Sequence, residues 1–284
     1  MTLALVAALV GMVGYGVGSV LQALGAARAT GPAVLRHPAY LAGLACDAVA
    51  WVASLVALRY LPLFVVQTLL AGSLGVTVLL ARVVLRTRLR ARDVVAVGVV
   101  AVTLAVIAGA AGPQSAQPAP AGFTAAMIIA LLGTVVVGAA LYGRSGSLPL
   151  AALAGAAFSG AALCARAMPG PIGWGLLVEP LALAVGAFGV VGAVAYARSL
   201  ERGPVGPATA VLWVIEVVVP GVVGLAVLGD TVRPGWALPA AAAVVAACAA
   251  CVVLAGGQPA PAEPAAAPAG DDRASPTAAA PPGL

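Results

Sequence analysis

The chain has 284 residues, of which 63% are hydrophobic and only 8% charged, with a formal net charge of +5 and a mean hydropathy of +1.12. A soluble domain carries about 25% charged residues and about 45–50% apolar ones. This composition excludes a single soluble globule, a disordered chain and a nucleic-acid-binding domain.

A membrane-crossing helix needs about 20 apolar residues. In chain order such runs occupy 2–24, 38–58, 62–84, 93–111, 122–142, 148–168, 174–197, 205–228 and 236–255. The runs are continuous and lack the alternation of a transmembrane barrel. The expected fold class is therefore all-α, a polytopic helical membrane protein with about nine transmembrane helices. The first run has no basic segment before it and is longer than a signal h-region, so it is expected to remain as a span. Between spans four and five lies GPQSAQPAPA, 112–121, a Pro- and Gln-rich linker. Residues 257–284 form a Pro/Ala-rich stretch with too little apolar surface to pack, and are expected to be a disordered tail.

The charges that remain are informative by position. There is no lysine; all fourteen basic residues are arginine. If the N-terminus is outside, eleven of them (Arg28, Arg36, Arg82, Arg86, Arg88, Arg90, Arg92, Arg144, Arg198, Arg202 and Arg273) fall on the cytoplasmic side. Only Arg59, Arg166 and Arg233 fall outside. Loop arginines set orientation, so the expectation is N-terminus out and C-terminus in. The run RTRLRAR, 86–92, is then a topology signal near anionic headgroups. Arginine-only, Ala/Val/Gly/Pro-rich usage points to a GC-rich bacterial genome, and hence to a plasma (inner) membrane.

A shift of about 142 residues lays Leu58-x-x-x-Pro62 on Leu200-x-x-x-Pro204. Each opens a long apolar span that ends in a short polar turn, Arg86-Thr87-Arg88 or Gly229-Asp230-Thr231, before a final span. Spans one to four thus match spans six to nine, with span five between them. Matching elements stand five crossings apart, and an odd offset inverts one copy relative to the other. This is the inverted-repeat pattern of many secondary transporters. The expected organisation is a first repeat over 1–111, a linker and fifth helix over 112–147, a second repeat over 148–256, and the tail.

Segments 50–89 and 193–232 each carry an Ala-Leu-x-x-x-Pro-like corner, an apolar span and a polar turn. On these features the chain resembles the EamA-like drug/metabolite transporter (DMT) superfamily, and within it the bacterial relatives of NIPA-type magnesium transporters. Thr87-Arg88 stands where that pattern often has Glu, while Asp230 keeps an acid in the second copy. Thr68 and Ala210 stand at the mid-span Pro positions. Asp47 lies about one turn from the acid of NIPA-type second spans. The resemblance implies a substrate pathway between two inverted halves.

Charged groups within spans are costly and mark functional sites by default. Asp47, in span two, shares a helical face with Trp51 and Ser54 at i+4 and i+7. Glu216, in span eight, belongs to the stripe Thr209, Trp213, Glu216, Pro220, where Pro220 removes one backbone hydrogen bond. The candidate substrate or ion pathway is therefore Asp47, Glu216, Gln67, Thr68, Thr209 and Trp213, with Gln22, Ser19 and the interfacial Glu179 as further candidates. Gly14-x-x-x-Gly18 and the triplet Gly186, Gly189, Gly192 read as close helix packing. Cys248-x-x-Cys251 lies in an unbroken apolar run and reads as packing rather than as a redox or metal motif.

No enzyme signature is present. The one histidine, His37, cannot form a two-histidine metal site, and a chain without lysine has no Walker motif. No cofactor is expected. The partners expected are the lipid bilayer and a small-molecule or cation substrate, with no nucleic acid; a homodimer is left open. The expected function is a secondary transporter or facilitator moving a small solute or cation by alternating access. The alternatives are a magnesium or other divalent-cation transporter of NIPA type, and a non-transporting membrane scaffold or accessory subunit whose acids merely pair with arginines or backbone groups around no cavity.

Overall fold

The structure, a computed structural model, describes residues 2–26, 28, 36–84, 91–112, 119–168, 179–203 and 205–256. Residues 85–90, 113–118, Pro204 and 257–284 lie outside the described residues. With them go most of the RTRLRAR run, the Thr87-Arg88 turn, part of the linker, the second Leu-x-x-x-Pro corner and the tail.

Ten α-helices are described: α1 Thr2–Ala26, α2 Pro38–Leu58, α3 Leu63–Ala71, α4 Ser73–Val84, α5 Ala91–Ala110, α6 Phe123–Tyr142, α7 Ser147–Ala167, α8 Pro180–Glu201, α9 Val205–Val227 and α10 Ala237–Gly256. With α3 and α4 taken as one crossing, the described residues hold nine helices long and apolar enough to span a membrane. The only non-helical pairing among them is one antiparallel bridge, Ala111 with Val232. The chain is a polytopic helical membrane protein. Many large apolar side chains sit outermost, Leu3, Val83, Ile129 and Leu238 among them, as a lipid environment requires. The helix α6 buries only Phe123.

The third crossing runs on as one span through Gly72, which keeps right-handed helical angles (φ −59°, ψ −16°). There the N–H donates to both the Thr68 and Leu69 carbonyls and the Gly72 carbonyl accepts from Gly75 and Val76 N–H, so the ladder tightens locally without ending. A Cβ at Gly72 would sit 2.8 Å from Leu104 Cδ1 and 2.9 Å from both Leu69 O and Met12 Sδ, so only glycine fits this approach. Span seven begins at Pro180, later than residue 174, because Glu179 is extended (φ −70°, ψ 129°) and Pro180 supplies the preset first helical residue. It then runs on to Glu201, held in its last turn by an Arg198–Glu201 ion pair.

Between helices that both face lipid, no water is displaced, so association rests on close packing of small residues. The pair α1 and α2 packs most extensively, followed by α7 and α8. In α1, Gly11, Gly14 and Gly18 meet Ala50, Cys46 and Gly43 of α2 at backbone distance. The triplet in α8 departs from this. Gly192 packs on the Phe158 ring, but Gly186 and Gly189 have nothing within 4 Å of a built Cβ, so they are not packing glycines here. The first four and last four spans meet through α3 against α9 and α5 against α10. Every residue of α3 is buried.

Candidate functional site

A cavity of about 550 Å³ lies between the first four and last four spans. The helices α2 and α9 set out its polar groups by their turn geometry. Asp47, Trp51 and Ser54 face it from α2, and Thr209, Trp213 and Glu216 from α9. Residues at i, i+4 and i+7 share a face, and these two stripes face each other across the space. From α3 comes Gln67, from α1 come Tyr15 and Ser19, and from α8 comes Tyr196. Among the described residues no arginine or histidine lines the cavity.

Gln22 does not line it but positions an acid that does: its Nε2 donates to Asp47 Oδ2 at 2.5 Å. A Cβ at Gly18 would collide with Asp47 Oδ1, so this glycine makes the room the carboxylate occupies. Neither Asp47 nor Glu216 forms an ion pair among the described residues. The Tyr15 hydroxyl engages Ser54 and lies within electrostatic reach of both acids. Tyr196 shares a 2.6 Å hydrogen bond with Thr209 and lies within reach of Glu216. Gln67 is 1% exposed, and its Oε1 has no hydrogen-bond partner.

Of the nine residues singled out from the sequence, six line this cavity: Asp47, Glu216, Gln67, Thr209, Trp213 and Ser19. Thr68 does not. One step along a helix turns a side chain by about 100°, so it points away from Gln67's side, and its hydroxyl donates to Phe64 O at 2.6 Å. Glu179 does not either; it is the residue before α8, far along the chain from the cavity-lining Ala193 and Tyr196. Pro220 is buried inside α9, which continues through it to Val227. Tyr15, Tyr196, Ser73 and Thr77 line the cavity and were not singled out. A lone tyrosine or hydroxyl in an apolar run carries no period that marks it. One signal was available: Tyr196 is Ser54 shifted by 142.

That shift recurs throughout the lining. The pairs Ser19/Ala161, Trp51/Ala193, Ser54/Tyr196, Gln67/Thr209, Leu70/Leu212 and Leu74/Glu216 all differ by 142, and both members of each line the cavity. They account for six of the nine lining residues from the last four spans.

One end of the cavity is crossed by polar contacts between the two sets of spans. Asp230, just beyond α9, is fixed within the last four spans by Arg166 of α7, which donates to its Oδ1 from Nε at 3.1 Å and from Nη2 at 3.0 Å. Its Oδ2 accepts the Leu63 N–H at 2.6 Å and so caps α3. A carboxylate there also meets the positive end of the α3 dipole. Gly229, at φ 70°, turns the chain out of α9 and aims the acid back. Beside it, Arg59 Nη2 donates to Met168 O at 3.2 Å, Gly112 N–H to Thr231 O, and Arg233 N–H to Ala110 O. We call this cluster the latch.

At positions named for other reasons, His37 caps α2 by accepting the Ala39 N–H. All four cysteines are free, and Cys251 lies against Ala71 O of the third crossing. Among the described residues no group of three His, Cys, Asp or Glu is placed to hold a metal ion. Comparison with known proteins finds no matching family model, no matching curated protein and no matching solved structure.

Proposed function

We propose that this protein is a secondary transporter or facilitator, moving a small solute or cation through the cavity between two inverted repeats by alternating access. One observation carries the reading: one cavity, at the junction of the two sets of four spans, gathers both intramembrane acids, and neither is paired to an arginine among the described residues. An acid kept in a membrane without an ion partner needs a compensating role. A scaffold would pair its acids and close the space around them.

Two further features support it. The 142-residue pairing of lining positions is what a cavity on the axis of two repeats would have. The resemblance of 50–89 and 193–232 to the drug/metabolite transporter pattern points the same way. With the arginine-derived orientation, the latch lies at the outer end, and the conformation is one closed to the outside.

The test is flux in proteoliposomes, with magnesium and a series of small amines as probes. At least one probe should enter saturably above protein-free liposomes, and Asp47→Asn with Glu216→Gln should abolish that entry. Saturable entry unchanged by the double substitution would remove these acids from the pathway. No entry of any probe would favour the scaffold.

A further inference from the structure

Resting on that reading, we infer the substrate class: the cavity takes a protonated amine carrying an apolar, ring-sized body, in preference to a bare metal cation. Four observations converge on it.

The first is charge. Two carboxyl groups and, among the described residues, no basic side chain line the space, so a cation is the complementary guest. The second is the wall between the acids. Tyr15, Trp51, Trp213 and Tyr196 contribute ring surfaces, and ring faces attract organic cations while covering apolar groups. These rings supply no metal-ligand oxygens apart from two phenolic hydroxyls. The third is an unanswered acceptor. Gln67 is a lining residue, and its Oε1 is buried with no donor among the described residues. A buried acceptor without a donor is costly; a small turn of the side chain toward the cavity brings it to an ammonium N–H, and a quaternary ammonium has no N–H to offer. The fourth is size and chemistry together. About 550 Å³ falls within the roughly 300–1,000 Å³ range of organic-ligand pockets. Leucines 58, 70 and 212 with Phe158 finish it with apolar surface. Magnesium asks for a tight octahedron of oxygens, and among the described residues no group of three His, Cys, Asp or Glu comes together to supply it.

In the arrangement that follows, the ammonium sits among Asp47, Glu216 and Gln67, and the apolar body lies against the tryptophan and leucine side. Trp213 and Glu216 come from one helix and Asp47 and Trp51 from another, so one guest touches both sets of spans.

The experiment is calorimetric binding to the purified full chain with three probes: phenethylamine, its neutral counterpart 2-phenylethanol, and magnesium chloride. Phenethylamine should bind saturably, 2-phenylethanol at least about tenfold more weakly, as expected when an ion-paired group is lost, and excess magnesium should not displace the amine. Glu216→Gln should weaken the amine by about tenfold or more, and Gln67→Leu should do so with no loss for 2-phenylethanol. Each variant's thermal midpoint reports its folding, and the three-probe comparison on the unaltered chain stands without any variant. Equal binding of amine and alcohol, displacement by magnesium, or no amine binding would each overturn the inference. The transporter reading is tested separately, since flux of magnesium alone with no amine binding would keep that reading and discard this one.

Discussion

Asp47 shows how much a single position depends on neighbours that are distant in sequence. It projects from α2, yet its carboxylate is held by Gln22 of α1 and given space by Gly18 one turn earlier. The acid itself was legible in the sequence because charge inside an apolar run is rare. Its stripe with Trp51 and Ser54 was legible because helical spacing places them on one face. The role of Gln22 as support rather than lining was not legible, since side-chain reach between two helices depends on their crossing. The same limit applies to Thr68, polar and adjacent to Gln67 yet turned from the cavity and satisfied within its own helix. Replacing Gln22 with Leu should lower affinity for a cationic probe by roughly tenfold, the effect of losing one hydrogen bond of about 1.5 kcal/mol to a charged group. Titration calorimetry of the variant checks it, with 2-phenylethanol as a probe that should be unaffected.

For whole elements, nine crossings follow from composition and length alone, because the bilayer leaves the backbone little choice but to close its hydrogen bonds within helices. What hydropathy could not show was the close approach at Gly72. Leu69, Leu70 and Ala71 are as apolar as any helix interior, and nothing in that run marks the arrival of Leu104 and Met12 from other helices. Glycine spacing misled in α8 for a related reason: a small residue permits close packing but does not bring a partner. The two cases predict opposite outcomes. Gly18→Ala should destabilise the fold by about 1–3 kcal/mol, the usual cost of overpacking, because the added methyl displaces Asp47. Gly186→Ala meets open space and should be neutral or stabilising by about 1 kcal/mol, the helix-propensity difference. Thermal unfolding in detergent, read as the shift in midpoint for each variant, checks both.

Across the whole molecule, the two sets of spans meet around one cavity and are joined at one end by the latch. The order of spans suggested two copies, and the 142-residue shift recovered lining pairs that lie on seven different helices or helix pieces. The latch was not legible as such. Arg166 and Asp230 stand 64 residues apart and Leu63 lies 167 from Asp230, so their meeting is a product of tertiary packing. Arg166 and Asp230 have almost no exposed side-chain surface. That pair lies within the last four spans and fixes Asp230, whose Oδ2 bond to the Leu63 N–H crosses to the first four; losing a hydrogen bond to a charged group costs about 1.5–3 kcal/mol, and that cost falls on the conformation closed at this end. Asp230→Asn should therefore shift the population toward the opposite conformation.

The central claim, a cavity reached alternately from the two faces, is tested most directly by two-sided thiol labelling on a cysteine-free background. Thr77→Cys and Leu58→Cys place single thiols in the lining toward either end. With Asp230 intact, a membrane-impermeant maleimide should label Thr77→Cys from the face carrying the C-terminus and leave Leu58→Cys unlabelled from the other. Adding Asp230→Asn should make Leu58→Cys reactive from that other face and reduce labelling of Thr77→Cys. Labelling from one face only, unchanged by loss of the latch, would contradict the account.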